Sequence, residues 1–124
     1  MIDHVSIAVS DLARSAAFYD RVLAPLGFRR LAEREHTIGF GKKYPEFWLN
    51  ARPEMNQVGD RTGVHICLRA SSKDAVDAFH AAALEGGGRD DGVPGDRQAT
   101  MTTYYGAFIR DPDGNKIEAV TFPR

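Results

Sequence analysis

Two stretches, Asp3-His4-Val5-Ser6-Ile7-Ala8-Val9 and Val64-His65-Ile66-Cys67-Leu68-Arg69-Ala70, decide how this chain is read. Each sets a histidine into an alternating apolar run and leads into a helical stretch. One offset of 61 residues carries His4 onto His65, Phe18 onto Phe79 and Gly27 onto Gly88, and it is about half of the 124-residue length. Internal repetition outranks local signals because it sets the whole architecture. Two copies of this length are a duplicated module, not a solenoid. Such a duplication makes a pseudo-twofold pair, which places its two equivalent histidines across a shared cleft.

Each copy has the same order of elements. Residues 2–9 alternate, with Val5, Ile7 and Val9 on one face and His4, Ser6 and Ala8 on the other, the period of a half-buried strand. Ser10 is the expected N-cap of a helix over residues 11–23 that turns Leu12, Ala16, Tyr19, Leu23 and Leu26 inward. Pro25 and Gly27 close it, and short strands are expected at 29–35, 37–40 and 47–50. Residues 53–63 are polar and aperiodic and join the halves. In the second copy a strand covers 64–70, and Ser71 with Asp74 opens a helix carrying Val76, Phe79 and Ala83 inward. Residues 89–98 read as a loop or weak edge strand. Strands at 102–110 and 116–122 flank Asp111-Pro112-Asp113-Gly114-Asn115, a turn in which Pro fixes φ and Gly accepts φ > 0. The expected fold is α+β: one domain, residues 1–124, of two paired βαβββ modules (1–52 and 64–124) forming a cup-shaped mixed sheet with helices outside.

Composition narrows the function classes. Sixteen basic and seventeen acidic residues leave a formal net charge of −1, and no basic stripe marks a nucleic-acid partner. No apolar run approaches the ~20 residues that span a bilayer. A single cysteine, Cys67, cannot form an internal disulfide and fits a reducing cytoplasm. No Walker loop, GxGxxG, GxSxG or HExxH string occurs, which removes the commonest nucleotide and hydrolase readings.

Alternation then sorts chemistry by face. Val5, Ile7, Val64, Ile66, Leu68, Ile117 and Ala119 fall on the helix-packing side; His4, Ser6, His65, Cys67, Arg69 and Glu118 fall opposite. A lone strand histidine is more often a packing residue than a ligand. Two at equivalent positions, with Glu118 inward on an otherwise apolar strand, form a 2-His-1-carboxylate set suited to a divalent first-row metal with open positions for substrate. An inward Glu is costly unless paired or metal-bound. Trp48, Tyr104 and Phe108 would line the cup with aromatic surface, and Arg69 could meet an anionic substrate group or form a rim salt bridge. His36 and His80 have no partner under the offset and read as solvent-facing or packing residues. Cys67 reads as a small buried hydrophobe, because no activating base is identifiable.

The opening Asp3-His4-Val5-Ser6-Ile7-Ala8-Val9-Ser10-Asp11-Leu12, Phe18-Tyr19, Leu26-Gly27-Phe28, Gly63-Val64-His65-Ile66 and the closing residues 108–118 together resemble the vicinal oxygen chelate superfamily, also called the glyoxalase/bleomycin resistance/dioxygenase superfamily. The resemblance covers essentially the whole chain. It implies a cup of paired βαβββ modules around a metal (Zn, Ni, Fe, Mn or Co) held at His4, His65 and Glu118, the residues that parity also selects. It further implies a homodimer acting on a small molecule, with modules paired within one chain or exchanged between chains.

Members of that superfamily run several reactions. Glyoxalase I enzymes add a Glu ligand on the last strand of the first module. That place holds Trp48 here, with Glu46 two residues earlier as the candidate base. Extradiol dioxygenases carry a Tyr where Phe108 stands and a His near residues 100–102, and both are absent. Fosfomycin-type thiol transferases use three ligands and a hydroxyl residue matched by Ser6, although their potassium-binding serine loop has no counterpart around 98–103. The expectation is a metal-dependent enzyme of lyase or isomerase type that stabilises an enolate or oxyanion. A metal-free drug-binding module and a thiol transferase or dioxygenase are the alternatives.

Overall fold

Alternation becomes strand in both copies, three residues later than predicted in the first and two in the second. β1 spans Val5–Val9, α1 Leu12–Leu23, a 3₁₀ turn Ala24–Leu26, β2 Arg29–Glu33, β3 Thr37–Gly41 and β4 Phe47–Ala51. The second copy follows as β5 Ile66–Arg69, α2 Lys73–Glu85, β6 Arg89–Gln98, β7 Thr103–Arg110 and β8 Lys116–Thr121. The computed structural model describes residues 1–122, so positions 123 and 124 of the expected second module lie outside the described residues. Among these, no helix is long and apolar enough to cross a membrane.

Each copy makes its own four-stranded sheet, ordered β1-β4-β3-β2 and β5-β8-β7-β6. In each, the first strand runs parallel to the last and the other neighbours are antiparallel. The parallel pair requires a crossover, and α1 and α2 supply it. This is the expected α+β arrangement of two βαβββ modules.

Three local expectations are corrected. Asp11, not Ser10, caps α1, accepting the Arg14 N–H at 3.0 Å, and Ser72, not Ser71, caps α2 through the Ala75 N–H at 3.1 Å. Both helices start one residue later than predicted, so the cap moves with them. Val64 is 70% exposed, because β5 begins only at Ile66. Residues 89–98 are a ten-residue edge strand whose register shifts between Asp90 and Gly92 and again between Gly92 and Gly95. The bulges accommodate the Gly and Pro residues that made the stretch look like loop.

Apolar residues of both modules form one core, with Ala16, Phe18, Tyr19, Val22 and Leu23 of α1 and Val76, Phe79 and Ala83 of α2 all buried. The 111–115 turn fastens the modules together. Asp111 Oδ1 accepts the N–H groups of Asp113 and Asn115, both at 2.9 Å, while Oδ2 accepts the Tyr19 hydroxyl at 2.8 Å and the Asn115 amide at 3.0 Å. Asp113, 2% exposed, accepts the Ser10 N–H at 3.0 Å and the Ser10 hydroxyl at 2.5 Å. Asn115 donates to the Ala8 carbonyl at 2.8 Å. The turn chemistry was legible in the sequence, but its grip on the far module was not.

Burial raises the Asp111 carboxyl above its ordinary value of 3.8, and the bonds from Asn115 and Tyr19 pull the other way without offsetting it. A raised folded-state pKa contributes stability that is complete below the unfolded value and lost as pH rises through the folded one. Asp111→Asn keeps an oxygen for the backbone donors and removes the charge. Its stability deficit should therefore shrink between pH 4 and pH 7 in urea titrations; a deficit that widens would contradict this. Asp111→Ala, which strands the buried Tyr19 hydroxyl, should cost about 1–3 kcal/mol at either pH.

Candidate functional site

The side of each sheet away from its helix collects the polar residues that alternation assigned there. On the second sheet, Glu118 is only 4% exposed. Its Oε1 lies 3.4 Å from His65 Nε2, and its Oε2 accepts the Tyr104 hydroxyl at 3.2 Å. The His65 ring stands edge-on to Phe108 at 5.6 Å. On the first sheet, His4 Nδ1 sits 2.6 Å from Asp3 Oδ1, and Tyr44 donates its hydroxyl to the same oxygen. These two bonds, Tyr44 first and His4 second, hold the Asp3 carboxyl below its ordinary value. With the Nδ1 proton given to Asp3, Nε2 keeps its lone pair, the usual outer-shell arrangement for a metal-binding histidine.

His4, Glu46, His65 and Cys67 line one cleft of about 330 Å³ between the two sheets. β1 and β5 border it without hydrogen-bonding to each other. Among the described residues no three His, Cys, Asp or Glu side chains converge tightly enough to hold a metal. Of the three residues selected by parity, His65 and Glu118 therefore meet, and His4 stands elsewhere in the cleft. The two groups that do meet, an imidazole and a carboxylate 4% exposed, are donor types that a divalent cation takes; a third would have to be brought to them.

Register identifies the counterpart of Glu118. β8 sets Glu118 beside Cys67, and β4 sets Trp48 beside Ser6. The 61-residue offset maps Cys67 onto Ser6, so Trp48 holds the place in the first module that Glu118 holds in the second. Glu46 lies one strand step ahead, its carbonyl accepting the Val5 N–H at 2.9 Å, and is exposed beside His4. Trp48 lies over Gly39, its cross-strand neighbour, with the Arg34 guanidinium 5.2 Å from the ring. With His4, Ser6 and Asn50 it lines a second cavity of about 360 Å³.

Tyr104 and Phe108 are half-buried on the second sheet. Tyr104 packs against Phe122 with ring centroids 5.8 Å apart and planes tilted by 41°, and Phe108 has the Lys116 ammonium 4.6 Å from its ring. Arg69 is exposed on the same side, its guanidinium 4.8 Å from the Phe122 ring. Cys67, expected to be buried, is exposed, because β5 is an edge strand whose outer flank is open. Surrounding protein and the Glu118 carboxylate still push its thiol up to about 12, which leaves it a poor nucleophile. His36 faces solvent, and buried His80 bonds Asp90 at 2.8 Å, as the missing symmetry suggested. Sequence reasoning missed Asp3, Tyr44 and Arg34. Asp3 was visible as the neighbour of His4, whereas Tyr44 arrives through a turn that no periodicity announces.

Two βαβββ modules, each opening a polar face toward a common cleft and one of them carrying a His–Glu pair, define a class. The chain belongs to the Glyoxalase/Bleomycin resistance protein/Dioxygenase superfamily, which it matches over residues 1–119. A glyoxalase/bleomycin resistance protein from Albidiferax ferrireducens T118 superposes with a TM-score of 0.85 at 32% identity, covering 96% of this chain and 97% of that one. The metallothiol transferase FosB of Shouchella clausii (strain KSM-K16) is 28% identical over 122 residues, covering 97% of this chain and 79% of the relative. A glyoxalase-related enzyme from Fulvimarina pelagi shares the fold, with a TM-score of 0.73 at 16% identity over 99% of this chain and 88% of that one.

A Cβ on residue 39 would lie 2.9 Å from Pro45 Cβ and 3.0 Å from the Trp48 ring. Gly39→Ala should therefore displace the ring, changing the emission of the chain's one tryptophan and costing about 1–3 kcal/mol. Unchanged emission would show that Trp48 does not depend on that contact.

Proposed function

We propose that this protein is a metal-dependent enzyme acting on a small oxygen-bearing substrate, with His4, His65 and Glu118 as the ligands. The observation that carries the reading is Glu118, a carboxylate 4% exposed, 3.4 Å from His65 and met by the Tyr104 hydroxyl and the Cys67 thiol, with no Lys or Arg paired to it among the described residues. Such a group is expensive in a fold unless it meets a cation. A bound divalent ion would supply Lewis acidity toward substrate oxygens. The chain's own residues hold and shape the site. Asp3 fixes the His4 tautomer, Tyr104 holds Glu118 in place, Ser6 offers a hydroxyl to a substrate oxygen, and Trp48, Tyr104 and Phe108 exclude water from the substrate's apolar part.

Reaction type turns on Trp48. With an indole at the counterpart of Glu118, a fourth carboxylate ligand that also moves a substrate proton is missing, and Glu46, in the cleft with His4 and His65, is the base a lyase or isomerase would use. The same three-ligand set suits addition of a thiol to an electrophilic carbon: a C–S bond forms, a C–O bond breaks, and the thiol proton ends on the released oxygen. The Shouchella relative's name supports that choice over the lyase or isomerase reading. Glu46→Gln separates them, abolishing an isomerase and sparing thiol transfer. A metal-free drug-binding role, resting on the aromatic wall, is the remaining alternative. The single thiol supports a reducing cytoplasm as the setting.

Titration with Zn²⁺, Mn²⁺, Fe²⁺, Co²⁺ and Ni²⁺ tests the ligands. Asp3→Asn should weaken binding about 10–100-fold, the usual cost of losing an outer-shell partner. His4→Ala, His65→Ala and Glu118→Ala should each weaken it more while leaving the fold intact, as read by circular dichroism. His65→Ala binding metal as well as the parent would sink the assignment, and a parent that binds none of these ions would favour the drug-binding role. Metal should also leave as the solution is acidified, since a protonated imidazole cannot ligate; retention to pH ~4 would contradict histidine ligation.

The assembly proposed is a homodimer, seen in light scattering as twice the 13.7 kDa chain mass. Mixing His4→Ala with His65→Ala chains then reads the pairing. Intact sites should reappear in the heterodimer if the two histidines of a site come from different chains, and stay absent if one chain supplies both.

A further inference from the structure

At the far end of β5 from His65 lies a cavity of about 350 Å³ lined by Lys42, Arg69, Ala70, Ser71, Thr121 and Phe122. Two cationic and two hydroxyl residues line it, and among the described residues no acidic one does. Among the described residues, neither Lys42 nor Arg69 has a carboxylate within ion-pair distance, whereas Arg14, Arg30, Arg89, Arg110 and Lys116 each have one. Both free cations are nonetheless positioned. The Arg69 guanidinium lies 4.8 Å from the Phe122 ring, a contact that restrains it. The Lys42 stem crosses Gly27, which has φ of 84° and no side chain; a Cβ there would sit 3.3 Å from Lys42 Cε. Ser71 stands just ahead of α2, whose N-terminal end adds partial positive charge.

From this arrangement we infer that the cavity is a binding site for a small molecule bearing an oxyanion, carboxylate or phosphoryl, on a compact apolar body. Arg69 donates two parallel N–H groups to the anion, Lys42 supplies a second charge, Ser71 and Thr121 donate hydroxyls, and Phe122 with Ala70 packs the apolar part. Four residues at ~3.3 Å each put about 13 Å between Arg69 and His65 along the strand. The site thus stands apart from the candidate metal centre and does not depend on it.

Benzoate and inorganic phosphate titrated into the metal-free protein, followed by calorimetry and by the backbone amide signals of Ala70 and Ser71, test the inference. Arg69→Gln and Lys42→Gln should each weaken binding about tenfold, the effect of one charge-assisted hydrogen bond. His65→Ala should bind anion like the parent, even if that same variant has lost metal. Arg61→Gln removes an equal charge from an exposed position outside the cavity and should change nothing. The stronger of the two probes names the chemistry, carboxylate or phosphoryl. The inference is overturned if neither anion binds the parent at up to about 50 mM, well above the Kd of a weak millimolar site. It is equally overturned if the two cavity variants bind like the parent, or if Arg61→Gln weakens binding as much as they do.

Discussion

Everything about the cleft depends on two buried carboxylates that do not belong to it. Asp111 and Asp113 sit in the turn between β7 and β8, yet their oxygens take hydrogen bonds from Tyr19 and Ser10 in the other module. Two modules with separate sheets have no ladder between them to set their relative position. The turn performs that service at the start of α1, and through Asn115 it also holds the end of β1 at the Ala8 carbonyl. His4 lies immediately ahead of β1, and β8 carries Glu118. The polar contacts of the turn thus join the shared apolar core in setting the distance between the two halves of the candidate site.

Duplication gives the site its outline, and departures from duplication give it chemistry. The offset pairs His4 with His65 and pairs Ser6 with Cys67, and strand register extends the comparison to Trp48 against Glu118 and Glu46 against Lys116. One module presents a carboxylate held by a phenol; the other presents an indole resting on a glycine under a guanidinium. A symmetric site would hold four ligands and favour proton transfer between equivalent positions. The asymmetric one sets a carboxylate on one side and an indole on the other.

The duplication, the strand and helix order and the inner-face residues were legible because periods of 2 and 3.6 and the repeat offset are properties of the sequence itself. Boundaries slipped where they depend on which of two adjacent hydroxyl or acidic residues caps a helix, as with Ser10 against Asp11 and Ser71 against Ser72. That choice is settled by tertiary partners, and Ser10 is drawn off by Asp113. Parity placed Trp48, Tyr104, Phe108 and Glu118 on the side opposite the helices. It could not place Tyr44 on Asp3 or predict that Cys67 would be exposed, since turn geometry and edge position have no periodic signature. The separation of His4 from the His65–Glu118 pair was equally hidden, because alternation reports the face of a side chain and not how two sheets are set against each other.

The irregularities of the sheets are unevenly spread. β2 and β6, the outermost strands, both carry register shifts against their neighbours, while β1 and β5, the strands that border the cleft, pair with β4 and β8 without any. A bulged border twists its unpaired N–H and C=O groups out of line and makes a poor template for another strand. A straight border is a good one. The protein therefore guards its outer margins against indiscriminate strand addition and leaves open the two margins where joining would bring polar faces together, so that the direction in which the sheet can grow is also the direction in which a site can be completed.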